Sequence, residues 1–191
     1  LAATAAFAAA EPLSMAGVVT GPFWIETARG TGRAVAAPLS WGRREWAVAA
    51  GVTGATLGLM TRDGAIRGWM QSHRGRDSDG AAVVGNALGN GAYVFPGLGL
   101  AALGGWWSGT TRLERAAVRG LENGLVGAGI FNTAIKFLAH RHRPGGGGPP
   151  DAWDGPSLEN VSARLSFSSG HTALAFSVAT AFTGEYDEPW V

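Results

Sequence analysis

The sequence predicts an all-α fold, a helical bundle, and three observations predict it. No clear β alternation occurs beyond the first forty residues, and from Trp46 apolar residues recur at helical spacing. Hydrophobic residues make up 46% of the 191 positions and charged residues only 15%. Ordinary soluble domains carry about 25% charged residues. Small residues such as Gly51, Gly54 and Gly58 sit inside the apolar runs, where they let helices approach closely. The length suits one domain with a real core.

The elements follow in order. Residues 1–10 are nearly all alanine and end in Ala8-Ala9-Ala10 before Glu11-Pro12. This matches the small-residue end of a secretory signal peptide, and also a plain alanine-rich helix start; a signal remnant is expected here. Residues 11–45, rich in glycine and proline, are expected to be irregular, with a short hairpin around Gly30-Thr31-Gly32. Residues 46–191 form the expected helical core. Trp46 to Met60 is an apolar helix. Asp63 opens a short one to about His73, with Ile66, Trp69 and Met70 at i, i+3, i+4. Arg74 to Gly80 reads as a polar loop, with Asp79 as a helix start. Gly80 to Thr111 holds no charge for 32 residues, long enough to span a bilayer. Pro96 is expected to break or kink it, giving two buried core helices rather than one membrane span. Arg112 to about His142 is the longest helical pattern, with Pro144 as its stop. Gly145 to Pro150 is a linker, and lacks the Gly-Lys-Ser/Thr of a P-loop. Asp151 to Ser166 reads as a loop with one short turn. His171 to Phe182 is a second strong helix.

Charge and cysteine content exclude several functions. The net charge is +1 and no basic stripe carries interleaved aromatics, so nucleic acid is not an expected partner. Without cysteine there is no disulfide framework, thiolate catalysis or Cys-based zinc site. Lys136 is the only lysine among 15 basic residues, which singles it out.

Lys136 and Arg143 are seven residues apart. On one helix they would lie about 20° apart around the axis and about 10.5 Å apart along it. A lysine supplies a point charge and an arginine a planar fork, which together suit a tetrahedral anion. The same pair is also what a solvated basic helix end looks like. Further on, Ser168-Ser169-Gly170-His171 precedes an apolar helix. Either serine is a good N-cap, Gly170 lets the backbone come close to a ligand, and a helix N-terminus is a ready phosphate site. His171, in the first turn, can donate a proton to a departing alkoxide. His140 and His142, about 200° apart on a helix, cannot chelate one metal and are expected as exposed helix-end residues. Glu122 lies about 21 Å before Lys136 along a helix and is taken as structural.

Taken together, these two stretches resemble the superfamily of type 2 phosphatidic acid phosphatases and vanadium haloperoxidases. Its first motif is lysine, six residues, arginine-proline, matched by Lys136, Arg143 and Pro144. Its second is proline-serine-glycine-histidine, matched by Ser169, Gly170 and His171, with Ser168 in the proline position. The resemblance covers roughly Trp46 onward and is specific mainly over 136–171. It implies a helical bundle and two-step phosphoryl transfer from phosphate monoesters or lipid phosphates, without a metal or other cofactor. Lys136 and Arg143 would bind phosphate oxygens, with the Ser169 hydroxyl and the Gly170 N–H. His171 would protonate the leaving group. Vanadate would be an inhibitor or, in the alternative reading as a haloperoxidase, the cofactor.

The third motif of that superfamily, serine-arginine, five residues, histidine, three residues, aspartate, carries the nucleophilic histidine and does not occur here. Only 20 residues follow His171, none histidine or arginine. The expectation is a truncated chain, inactive alone, with its nucleophile beyond Val191. A non-catalytic anion-binding, membrane-associated protein is a further alternative. The alanine-rich start and the moderate apolarity suggest export, to the periplasm or against a membrane, with multi-span embedding as the other possibility, and the resemblance suggests a bacterial protein.

Overall fold

The computed structural model describes residues 13–144, 152–160 and 162–186. Every regular element among them is helical, as the apolar periodicity requires. The alanine-rich start and the Gly145–Pro150 linker lie outside the described residues. The chain forms two compact units. One draws on Leu1–Gly32, Val84–Ala134 and Ser169–Val191, the other on Arg33–Val83 and Ile135–Ser168.

The elements are α1 (Met15–Thr20), α2 (Pro22–Ala36), a 3-10 turn (Ala37–Ser40), α3 (Arg43–Met60), α4 (Asp63–Ser72), α5 (Arg76–Gly89) and α6 (Gly91–Ser108). They continue with α7 (Thr111–Asn123), a π-helical segment (Gly124–Phe131), α8 (Asn132–Ala139), a 3-10 turn (Ser162–Arg164) and α9 (Gly170–Glu185). The expected irregular segment over 11–45 is therefore corrected. Ser14 caps α1 by accepting from the Gly17 N–H at 2.9 Å. Gly21, in the left-handed region, closes that helix, and Pro22 starts the next one. Gly30-Thr31-Gly32 lies within α2, with the Thr31 hydroxyl donating to the Thr27 carbonyl, so there is no hairpin.

In the first unit, α6, α7 and α9 pack around a core of Phe23, Leu98, Ala102, Ala117 and Val118. Helices α6 and α7 meet at Gly105. A Cβ there would lie 2.6 Å from the Glu114 backbone nitrogen, so only glycine permits this approach. Glu114 is itself buried and accepts from the Met15 N–H at 2.7 Å, which ties α1 to α7. Glu185 at the end of α9 pairs with Arg115 at 3.1 Å and Arg119 at 3.6 Å on α7.

The uncharged run divides at Asn90, not at Pro96. Asn90 caps α6 by accepting from the Ala92 N–H at 2.9 Å, and Pro96 is accommodated inside that helix. Only part of the expected burial occurs. Leu98, Ala102 and Gly105 of α6 are buried, whereas Val83, Val84 and Leu88 of α5 are mostly exposed.

In the second unit, the Glu45 carboxylate accepts from the Gly42 N–H at 2.9 Å and caps α3. Trp41 and Trp46 meet edge to face, with centroids 5.1 Å apart. Neither α3 nor α4 buries a residue. Among the described residues no helix is long and apolar enough to cross a membrane.

The long pattern from Arg112 runs through α7, the π-helical segment and α8, but ends at Ala139 rather than near His142. His140 takes a left-handed backbone, with φ of 46°, and the chain turns out of the helix.

Candidate functional site

Lys136 lies in the last turn of α8 and Arg143 four residues beyond the helix end. The single-helix geometry that placed them on one face is thus overturned. Another framework holds Arg143. From His140 to Arg143 the chain is laced to the segment expected as a loop with one short turn. His142 N–H donates to the Ala152 carbonyl at 3.0 Å, Asp154 N–H to the His140 carbonyl at 3.3 Å, and Arg143 N–H to the Ala163 carbonyl at 2.6 Å. The Ser166 hydroxyl lies 3.0 Å from the Arg141 carbonyl and 2.8 Å from that of His142. Arg141 bridges to Trp153 in an antiparallel pair. Its guanidinium pairs with Asp63 of α4 and stands 5.6 Å from the Trp153 ring centroid.

The two cations remain electrostatic neighbours. Lys136 Nζ donates to the Leu165 carbonyl at 2.8 Å. Arg143 Nε donates to the Ser162 carbonyl at 2.7 Å, which leaves its two terminal nitrogens for other acceptors. Burial, and then the positive charge of Arg143, hold the Lys136 ammonium below the ordinary lysine range. Neither cation pairs with a carboxylate among the described residues. Two like charges near each other without a counter-charge make the local potential positive.

His140 corrects the expectation of exposed helix-end histidines. It is 1% exposed, with Nε2 3.0 Å from the Glu159 carbonyl and Nδ1 3.8 Å from Asp154 Oδ2. His142 is mostly covered, with Nε2 2.9 Å from the same Asp154 oxygen. That hydrogen bond holds the Asp154 carboxyl below its ordinary range. Desolvation opposes it, and the charges of His142, Arg164 and His140 add to the lowering. Both histidines thus brace the Arg143 segment. Among the described residues no group of three or more His, Cys, Asp or Glu could hold a metal ion.

The other motif lies in the first unit, at the start of α9. Ser169 is its N-cap and accepts from the Thr172 N–H at 3.3 Å. Its own hydroxyl proton stays available to a ligand. Gly170 and His171 form the first turn, and the imidazole is exposed. A Cβ on Gly170 would lie 3.6 Å from Asn132 Nδ2, an ordinary contact. Protein packing therefore does not demand glycine there. Gly89, at the end of α5, is demanded: a Cβ on it would lie 2.5 Å from that of His171.

Sequence reasoning missed Asp154, Ser166 and Gly89. Only Gly89 carried a readable signal, the Gly-Asn-Gly break at 89–91. The other two are isolated polar residues whose partners are distant in sequence. No protein-family model, curated protein or solved structure matches this chain.

Proposed function

We propose that this chain carries the phosphate-handling part of a phosphatase resembling the type 2 phosphatidic acid phosphatases, acting on phosphate monoesters or lipid phosphates. One observation carries the reading: Lys136 and Arg143 share an electrostatic neighbourhood with no carboxylate partner among the described residues. In phosphoryl transfer the protein mainly positions the group and stabilises its charge. The resemblance assigns phosphate oxygens to Lys136 and Arg143 of the second unit, and the same role to the Ser169 hydroxyl and the Gly170 N–H of the first. His171 gives its proton to the departing alkoxide. No metal takes part, and an exported or membrane-associated protein suits the reading.

The nucleophile is assigned to no residue of this chain. His140 and His142 are engaged with Glu159 and Asp154, and neither is proposed for that task. This favours a second reading, a non-catalytic anion-binding protein.

A titration followed by chemical rescue separates the two. The chain binds inorganic phosphate and vanadate, and Lys136→Ala or Arg143→Ala weakens both by about tenfold or more. Phenyl phosphate is not turned over by the chain alone. Added imidazole, serving as the nucleophile, attacks phosphorus and displaces phenolate, which His171 protonates; water then hydrolyses the phosphoimidazole. Saturable, imidazole-dependent release of phenol that is lost in His171→Ala supports the phosphatase. Phosphate binding without such turnover supports the anion-binding protein, and no phosphate binding sinks both.

A further inference from the structure

We propose that the cavity lined by Arg141 and Pro144, the chain neighbours of Arg143, receives the alcohol part of the phosphate ester and selects an alcohol with an apolar body and a second anionic group. This deepens the phosphate-site reading above and rests on it. The cavity has a volume of about 640 Å³ and lies within the second unit, in the range that holds a small organic ligand. Pro144, directly after Arg143, forms part of its wall, as does Arg141 of the same segment. A phosphoryl group on Arg143 would carry its ester substituent into this neighbourhood.

The floor is one face of α4. Gly64, Arg67, Gly68 and Gln71 are spaced i, i+3, i+4, i+7 and share that face. Nothing lies within 4 Å of a Cβ built on Gly64 or Gly68. Glycine is disfavoured inside helices, and here no packing contact asks for it; its effect is to keep the floor open. Met60, Ile66 and Pro144 give the cavity apolar walls.

The charges decide what kind of alcohol fits. Asp63 is the one carboxylate on the wall, and the Arg141 guanidinium takes it. Arg67 makes no ion pair among the described residues and is left as the uncompensated charge of the cavity. A neutral alcohol would leave that cation unanswered, and a carboxylate or second phosphate would pair with it.

Calorimetric titration of the chain with three non-hydrolysed probes tests this. They are inorganic phosphate, phenylphosphonate and 4-phosphonobenzoate, which adds a carboxylate to the same ring. The expected result is 4-phosphonobenzoate binding about tenfold tighter than phenylphosphonate. Arg67→Gln brings the two within about twofold and leaves inorganic phosphate unchanged. Gly68→Leu weakens both aryl phosphonates about tenfold, again without effect on phosphate. It replaces a poor helix former, and Gly68→Ala is a milder companion that narrows the same floor. If phosphate binds but the wild-type chain does not distinguish the two aryl phosphonates, the inference is overturned and the phosphate site stands. If phosphate itself does not bind, both fall.

Discussion

At Lys136 the physical chemistry of one side chain sets function against stability. Burial and the charge of Arg143 hold its pKa below the ordinary lysine value of 10.5, so the charged form is penalised in the folded chain. Below the folded pKa, lysine is protonated in both the folded and unfolded states and the whole penalty is present. As pH rises through the folded pKa toward the unfolded one, the penalty is relieved. Phosphate reverses this preference, because an anion favours the ammonium. Phosphate binding should therefore raise the Lys136 pKa, and affinity should fall as alkaline pH rises through the pKa of the free site. Carbon-13 NMR of the Lys136 Cε, with and without phosphate, reads this directly; a pKa that does not move means the ammonium faces no anion. Lys136→Met should abolish most binding yet leave folding stability within about 1 kcal/mol. The hydrogen bond to the Leu165 carbonyl that it loses contributes about that much, and relief of the charge penalty offsets it. A large loss of stability in urea unfolding would show that Lys136 is a structural residue.

The start of α9 shows the same overlap of structure and ligand chemistry in a whole element. Ser169 caps the helix through Thr172 N–H and, under the proposed function, also gives its hydroxyl proton to phosphate. Two substitutions separate these roles. Ser169→Ala should cost about 1 kcal/mol through the lost cap and also weaken phosphate. Ser169→Asp keeps an acceptor at the cap and suits the helix dipole, so stability should stay within about 0.5 kcal/mol of wild type. Its carboxylate would repel phosphate, so affinity should fall. An aspartate variant that binds phosphate as well as wild type would remove Ser169 from the site. This element was legible because its signals are local: a serine pair, a glycine, then an apolar run. The end of α8 was not. His140 leaves the helix with partners on the distant 152–166 segment, among them the Ser157 N–H on the Phe137 carbonyl and the Glu159 carbonyl on the imidazole. A periodic reading through His142 has no means of sensing such contacts. It still paired Lys136 with Arg143 because both interpretations bring the two cations near each other, one by about two helical turns and the other by a laced loop.

Across the molecule, the same small residues do different work, and composition alone cannot tell which. Gly105, Gly120 and Gly124 meet backbone or side chains of neighbouring helices, whereas nothing lies within 4 Å of a Cβ on Gly51, Gly54 or Gly58. The expectation of close helix approach thus holds in the first unit and fails along α3. Burial follows the same division. Helix α7 buries Glu114, Ala116, Ala117, Val118 and Gly120, while α3 and α4 bury no residue, and Val48, Val52, Leu57 and Leu59 are each more than half exposed. Helices of 18 and 10 residues draw little stability from propensity alone, and without a buried face their hydrogen bonds open at lower free energy. Native-state hydrogen exchange on the dilute chain should therefore divide it. Amides of α3 and α4 should exchange at least about tenfold faster than those of α6, α7 and α9, with rates that rise little with urea because their opening exposes little new surface. Amides of α7 should exchange only with global unfolding. Equal protection in α3 and α7, unchanged on further dilution, would show that α3 is held by contacts its exposure does not reveal.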